Sequence, residues 1–478
     1  MSDLTKNSTI PLVVDLDGTL IKSDILLENF YATIRQNPLV LFLIPLWLFK
    51  GKVYLKNKLS EKTLINIKAL PYNEAFLEYL RQEFKGGRTL VLATASVHKF
   101  AQEIATHLGI FNKVLGTDNK TNLKGKNKLN ALLALYGEKK FDYAGDGQAD
   151  LHIFPHAREA IIVNASARVL KEAKKTSSVK KIFEAQPVNL KTYIKTIRTY
   201  QWVKNILLVV PLVMSHQWGD IMAIVYVWTG FVSFSFCASA GYLFNDLLDL
   251  PSDRAHPRKK ERPLASGRIP ILDGSLLFIT LLLTGLALAL VINWNFFLLL
   301  MFYCLISLSY TFLFKSYVLI DVLVLAGLYT LRVVAGGVLA DVRLSFWLLA
   351  FSIFIFFSLA LVKRCSELVS LSKANVQYAG GKDYSVSDMD YLREMGIASG
   401  YLAVLIVAFY INSPDVKALY SHPEALWLVC PALLYWISRV WLKTGRGEMT
   451  DDPIVFSIKD RGSRIVALGI VIIILLAI

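Results

Sequence analysis

The chain has 478 residues, of which 54% are hydrophobic and 19% charged, and carries a formal net charge of +15. It is too apolar for one water-soluble globule and too charged for membrane spans alone, so regions of different character must share it. The basic excess fits cytoplasmic membrane loops, anionic lipid and a phosphorylated substrate; it is not read as a nucleic-acid surface.

The opening MSDLTKNSTI has no signal-peptide pattern and runs straight into a strand-like PLVVDL, so the N-terminal region is expected to stay in the cytoplasm. PLVVDLDG reads as a buried strand ending in a turn. RTLVLATAS at 88–96, FDYAGDG at 141–147 and AIIVN at 160–164 read as three more strands, and helical stretches separate them. That alternation predicts a parallel sheet with helices on both faces, an α/β domain over 1–165.

A helical insertion over about 22–85 separates the first two strands. It holds PLVLFLIPLWLF at 38–49, too short to cross a bilayer and interrupted by Pro45, and then Lys50, Lys52, Lys56 and Lys58. A membrane-surface helix and a buried cap helix both fit this pattern. Residues 165–190 read as a basic helix and linker, with the linker proper over 166–190.

From 191 to 478 the sequence predicts an all-α polytopic membrane bundle. Apolar segments fall near 206–214, 221–244, 274–294, 295–314, 318–340, 345–362, 395–412, 424–442 and 463–478, about nine helices, of which the first is short. One set of connections holds Lys191, Lys195, Arg198, Lys204, the stretch 254–268, Lys315, Lys363, Arg364, Lys373, Lys382, Arg393 and the stretch 443–464. The alternate connections hold only Arg343 and Lys417, which places the first set and the N-terminal domain in the cytoplasm. Cys237, Cys304, Cys365 and Cys430 lie in or beside apolar runs with no CxxC pair, so they read as small buried residues rather than disulfide or zinc ligands.

Two constellations carry chemistry. In DLDGT, Asp15 ends a strand and Asp17 follows two residues on, which presents two carboxylates at the carboxyl edge of a parallel sheet. Thr94 ends the second strand, Lys128 lies in LKGKNKLNALL, and GDGQAD supplies Asp146 and Asp150. These four elements in this order resemble the phosphatase branch of the haloacid dehalogenase superfamily over about 8–165, with Gly147 where many relatives carry a small hydroxyl residue. The resemblance implies a Rossmann-like fold with a helical cap in the insertion. It implies Asp15 as nucleophile, Asp17 as general acid/base, Thr94 and Lys128 on the phosphoryl group, and Mg²⁺ among Asp15, Asp17, Asp146 and Asp150.

The second constellation is NDLLDLPSDRAHPRKKERPLASG at 245–267. Asn245, Asp249 and Asp253 are spaced to share one helix face and to bind Mg²⁺ with the help of substrate phosphates. Pro251 is expected to end the helix before Asp253 and leave that residue on the loop. Lys259 and Arg262 add positive charge beside it. The pattern NDxxDxxxDxxxxxKxxRP resembles the UbiA-type intramembrane transferases over about 190–478, which implies nine spans and transfer of a group from a diphosphate donor.

The segment LALVKRCSELVSL, with Lys363, Arg364 and Glu367, is basic where that family carries a second aspartate-rich motif. RTYQWVKN, YTFLFKSYVLIDVLVLAG, LRVVAGG and KRCSEL instead resemble the decaprenyl-phosphate phosphoribosyltransferase branch. That resemblance implies phosphoribosyl diphosphate as donor and a polyprenyl phosphate as acceptor. Lys204, Lys315, Lys363 and Arg364 are then candidates for the remaining phosphates, Tyr310 and Asp321 for the sugar, and Arg332 for the lipid phosphate or a structural pair.

The implied whole is a bifunctional enzyme of a bacterial-type inner membrane in which the phosphatase removes the 5-phosphate of the transferase product. The alternatives are prenylation of an aromatic acceptor beside an independent phosphatase, and a scaffold in which only the phosphatase is active. Homo-oligomerisation is left open.

Overall fold

A computed structural model describes residues 10–478 except 64, 119–121, 186, 217–218, 375–382 and 451, and leaves out the side chains of 415, 417 and 418. Lys382 and the side chain of Lys417, both used in the loop-charge reading, therefore lie outside the described residues. The chain forms two compact units, Met1–Ile197 with Tyr242–Phe278, and Arg198–Gly241 with Ile279–Ile478.

The first unit is built on six strands: β1 Leu12–Val14, β2 Leu90–Val97, β3 Lys113–Thr117, β4 Asp142–Gly145, β5 Ala160–Val163 and β6 Val179–Phe183. They lie in the order β3-β2-β1-β4-β5-β6, every pairing parallel. β1 is central, and its alternating side chains feed two cores: Leu12 and Val14 join Leu90, Leu92 and Phe100 on one face, while Val13 joins Val91, Ala93 and Tyr143 on the other. The four predicted strands are present. β3 and β6 are additional, and β6 falls inside the stretch read as helix and linker. Its sequence VKKIF exposes two lysines on a sheet edge, where charge blocks further pairing, so its basic composition hid a strand. Helix Ala167–Thr176 precedes it.

The insertion between β1 and β2 forms helices Ile25–Gln36, Val40–Phe49 and Lys52–Lys62 before helix Glu74–Lys85 returns to the sheet. Asp24 caps the first of these, its carboxylate accepting from the backbone N–H groups of Leu26 and Leu27.

Among the described residues, seven helices are long and apolar enough to cross a membrane: Ile221–Leu248, Ile271–Ile292, Trp294–Phe312, Ile320–Leu339, Phe346–Lys373, Val386–Ile411 and Pro423–Arg446. The first and last of the nine predicted segments fall short. Thr199–Leu208 winds as a 3₁₀ helix, and Pro211, which has no N–H to donate, opens a new short helix Val210–Met214. The final helix Arg461–Ala477 has 17 residues. In the second unit small residues let helices approach closely: a Cβ on Gly396 would fall 2.1 Å from the Trp441 ring.

Candidate active sites

The carboxyl ends of β1 and β4 bring the first constellation together. The loop after β1 turns at Gly18, whose φ of +79° is a left-handed conformation, and a Cβ there would fall 2.2 Å from Asp146 Oδ2. Glycine is therefore what lets the β1 loop lie against the β4 loop. Lys128 reaches in from helix Lys126–Tyr136, its Nζ 2.9 Å from Asp15 Oδ1 and donating to the Tyr143 hydroxyl at 3.1 Å. Tyr143 OH in turn donates to Asp150 Oδ1 at 2.6 Å, and Asp150 Oδ2 accepts from the backbone of Gly147 at 3.0 Å. Thr19 Oγ1 donates to Asp146 Oδ1 at 3.0 Å.

Asp15, Asp146 and Asp150 each offer one oxygen within 4.8 Å of the other two. Asp17 is turned elsewhere. Its carboxylate accepts from the backbone of Ile25 at 2.8 Å, from Ser96 Oγ at 2.7 Å and from Thr94 Oγ1 at 3.3 Å. The expectation of Asp17 as a metal ligand is thus not met by its side chain, which belongs to the acid/base half of the site. Ser96, Tyr143 and Lys56 are further members that the sequence pattern does not assign. Lys56, on cap helix Lys52–Lys62, donates to the Ala95 carbonyl at 2.6 Å and to Asn122 Oδ1 at 3.1 Å.

Burial pushes the Asp15 carboxyl up to about 6 even though Lys128 opposes it. Burial, then the charge of Asp24, takes Asp17 to about 7. Burial, then Asp15 and Asp150, takes Asp146 to about 8. Three hard oxygen donors carrying unbalanced negative charge fit a divalent cation such as Mg²⁺. A carboxyl raised by folding holds its proton more tightly in the native state. The cation-free fold therefore loses stability as pH climbs from the ordinary carboxylate range through 6 to 8. Millimolar Mg²⁺ should thus raise the thermal midpoint of the purified chain more at about pH 8 than at about pH 5; an equal gain at both would contradict the site.

In the second constellation, helix Ile221–Leu248 stops and helix Leu250–Ala255 begins at once, with Pro251 in its first turn. Asp249 N donates to Asn245 O at 2.9 Å and Asp253 N to Asp249 O at 2.8 Å, so the i→i+4 ladder links all three positions. Asp253 is therefore helical, contrary to the loop expected from Pro251: a proline at a first-turn position needs no N–H partner. Arg262 Nη1 lies 2.5 Å from Asp253 Oδ2 and 3.0 Å from Asp246 Oδ1. Lys259 is exposed.

The same stretch is tied to the cap helix Ile25–Gln36 within the first unit. Arg35 Nη1 lies 3.2 Å from Asp249 Oδ1, Tyr31 OH is 2.6 Å from Ser275 Oγ, and Arg254 Nη2 donates to Glu28 Oε1 at 2.6 Å. Glu28 and the Arg254 side chain are both shielded from water, and Ser23 also donates to Glu28. Glu28→Ala should cost about 3–5 kcal/mol by leaving a buried guanidinium without its partner. Thermal unfolding checks this, and replacing both residues by leucine should recover most of the loss.

The second unit holds the remaining candidates. Arg364 is buried and bonded to Asp321 and Glu367. Tyr384 OH donates to Asp321 Oδ1 at 2.5 Å, and the guanidinium carbon sits 4.9 Å from the Tyr384 ring centroid. Arg364 Nε is buried without a hydrogen-bond partner among the described residues. Tyr310 lies in the electrostatic reach of Arg364.

Lys204 is paired with Asp452, which also caps helix Pro453–Lys459 and so gives the DDPIVF segment a role; Asp451 lies outside the described residues. Arg332 donates to Asn205 Oδ1 at 3.0 Å, Tyr303 OH at 2.8 Å and the Leu328 carbonyl at 2.5 Å, among the rings of Phe234, Tyr303 and Tyr329. This is the structural alternative for Arg332. Lys315 sits in the turn Phe314–Ser316, and Lys363 is half-buried beside Arg364.

The UbiA prenyltransferase family profile matches residues 206–447, and the haloacid dehalogenase-like hydrolase profile matches residues 12–154. The chain is similar to the uncharacterized protein y4nM of Sinorhizobium fredii, 36% identical over 95% of this chain and 88% of that one. It is similar to the nodulation protein NoeC of Azorhizobium caulinodans, 30% identical over 60% of this chain and 93% of that one. It is similar to decaprenyl-phosphate phosphoribosyltransferase of Mycolicibacterium smegmatis, 32% identical over 46% of this chain and 70% of that one. The chain belongs to the UbiA prenyltransferase family of multi-pass membrane proteins and carries a haloacid dehalogenase-like hydrolase domain ahead of its transferase region.

Proposed function

We propose that the chain transfers 5-phosphoribose from phosphoribosyl diphosphate to a polyprenyl phosphate, and that its hydrolase domain then removes the 5-phosphate from the lipid-linked product. The observation that carries the donor assignment is Arg364, buried beside Asp321, Tyr384 and Glu367 with its Nε unsatisfied among the described residues. Keeping a guanidinium out of water with a donor unused is costly. An anionic sugar phosphate, which the donor carries in addition to its diphosphate, suits such a group. The name and coverage of the mycobacterial relative support the same reading.

In the transfer, a lipid phosphate oxygen attacks the anomeric carbon of the ribose as the bond to diphosphate breaks. Asn245, Asp249 and Asp253 supply hard oxygen donors spaced for Mg²⁺, which when bound neutralises the departing diphosphate. Arg262 and Lys259 add positive charge for the same group. Lys204, Lys315 and Lys363 remain candidates for the other phosphates, and Tyr310 and Asp321 for the sugar. The loop charges favour the cytoplasmic side of an inner membrane for both chemistries.

In the hydrolysis, Asp15 attacks phosphorus and forms an aspartyl phosphate. Asp17, held near neutral by burial, protonates the leaving ribose oxygen and then takes a proton from the attacking water. Lys128 and Thr94 hold the phosphoryl oxygens. Detergent-purified chain given labelled donor and polyprenyl phosphate should release diphosphate first and inorganic phosphate second.

The family name favours one rival, prenyl transfer. Polyprenyl diphosphate with 4-hydroxybenzoate should give no product; a prenylated aromatic would overturn the proposal.

A further inference from the structure

The cap contains a helix that neither reaction uses. Val40–Phe49, VLFLIPLWLF, has no polar residue, and its buried residue is Val40. Phe42 is 79% exposed and Phe49 88%, and Leu39, Leu41, Leu43, Leu46 and Leu48 are exposed as well. Exposed apolar side chains on every side of a ten-residue helix do not suit a surface facing water. The helix is too short to cross a bilayer and has the length of an interfacial or re-entrant segment.

The residues C-terminal to this helix narrow its occupant. Lys50 and Lys52 come directly after it, and Lys58 and Lys62 lie on the next helix. Lys62 Nζ stands 5.8 Å from the Trp47 ring and Lys50 Nζ 5.2 Å from the Tyr54 ring. An apolar tip, then Trp and Tyr, then a cluster of lysines is the order in which side chains meet acyl chains, interface and anionic headgroups. The chain also carries seven membrane-crossing helices, so a bilayer accompanies it.

The same segment continues into the hydrolase site. Gly51, with φ +104°, turns the chain into helix Lys52–Lys62, and that helix delivers Lys56 to Ala95 and Asn122 beside the Asp17–Ser96 contact.

We infer that the helix Val40–Phe49 inserts into the bilayer and, through the helix that bears Lys56, makes the hydrolase centre selective for phosphomonoesters resident in the membrane. Insertion stands on exposure and charge alone; the substrate class rests on the proposed hydrolase activity. A second copy of the chain is the competing occupant.

The test uses the full chain in lipid nanodiscs, with a synthetic polyprenyl-phosphoryl ribose 5-phosphate and with soluble p-nitrophenyl phosphate. Phe42→Asp with Phe49→Asp should lower kcat/KM on the lipid substrate at least about tenfold, mainly through KM, and leave the soluble ester unchanged, which also shows the variant folded. Brominated acyl chains should quench a share of tryptophan fluorescence that Trp47→Phe removes. Equal loss or no loss on the two substrates overturns the selectivity. Quenching that does not depend on Trp47 overturns the insertion and leaves the apolar face to a second copy. If the wild-type chain cleaves neither ester, the hydrolase reading fails, and the quenching alone decides insertion.

Discussion

Asp15→Asn is expected to lower phosphate release by at least about a thousandfold while diphosphate release continues at its normal rate. The substitution keeps the shape of the side chain and its backbone bond from Leu16, so folding is spared. It removes the attacking oxygen and the negative charge that Lys128 faces at 2.9 Å. Product should then accumulate one phosphate heavier than that of the wild-type chain. A parallel loss of diphosphate release would mean that the two chemistries cannot be separated in this way. Asp17→Asn should also stop turnover, but with a difference: a phosphoenzyme can still form slowly from an ester with a good leaving group, because the missing function is the proton.

Asp249→Ala should lower transfer by about a thousandfold or more, several kcal/mol of lost metal and diphosphate binding, and leave p-nitrophenyl phosphate hydrolysis intact. Asp249 sits between two demands. Its backbone closes the ladder from Asn245 to Asp253, and its carboxylate lies 3.2 Å from Arg35 of the hydrolase cap. Alanine keeps the ladder and removes the carboxylate. Retained transfer in this variant would favour the scaffold reading, in which the hydrolase alone is active.

The sequence revealed the site chemistry better than it revealed its packing. DLDGT and GDGQAD could be placed on strand ends because short apolar runs flank them, and the structure puts Asp15, Asp146 and Asp150 within reach of one cation. What the pattern could not give was direction. Asp17 turns toward Ile25 and Ser96 because the cap helix begins there, and that helix contributes nothing to the motif itself. β6 was hidden because an edge strand with two exposed lysines has no apolar run to betray it. Pro251 misled because its effect depends on position: inside a helix it breaks the ladder, and in a first turn it costs nothing. The ties from Glu28, Tyr31 and Arg35 to the aspartate-rich stretch join residues more than two hundred positions apart, as with Tyr31 and Ser275, which no local periodicity encodes. The basic character of Lys363 and Arg364 was legible, while the buried partners of Arg364, Asp321 and Tyr384, came only with the fold.

Mass spectrometry of the lipid product made by the full chain from phosphoribosyl diphosphate and polyprenyl phosphate tests the account most directly. The account predicts a ribosyl phospholipid from the wild-type chain and its 5-phosphorylated form from Asp15→Asn. A lipid that never acquires a pentose, or a pentose that keeps its phosphate in the wild-type reaction as in the variant, would contradict it.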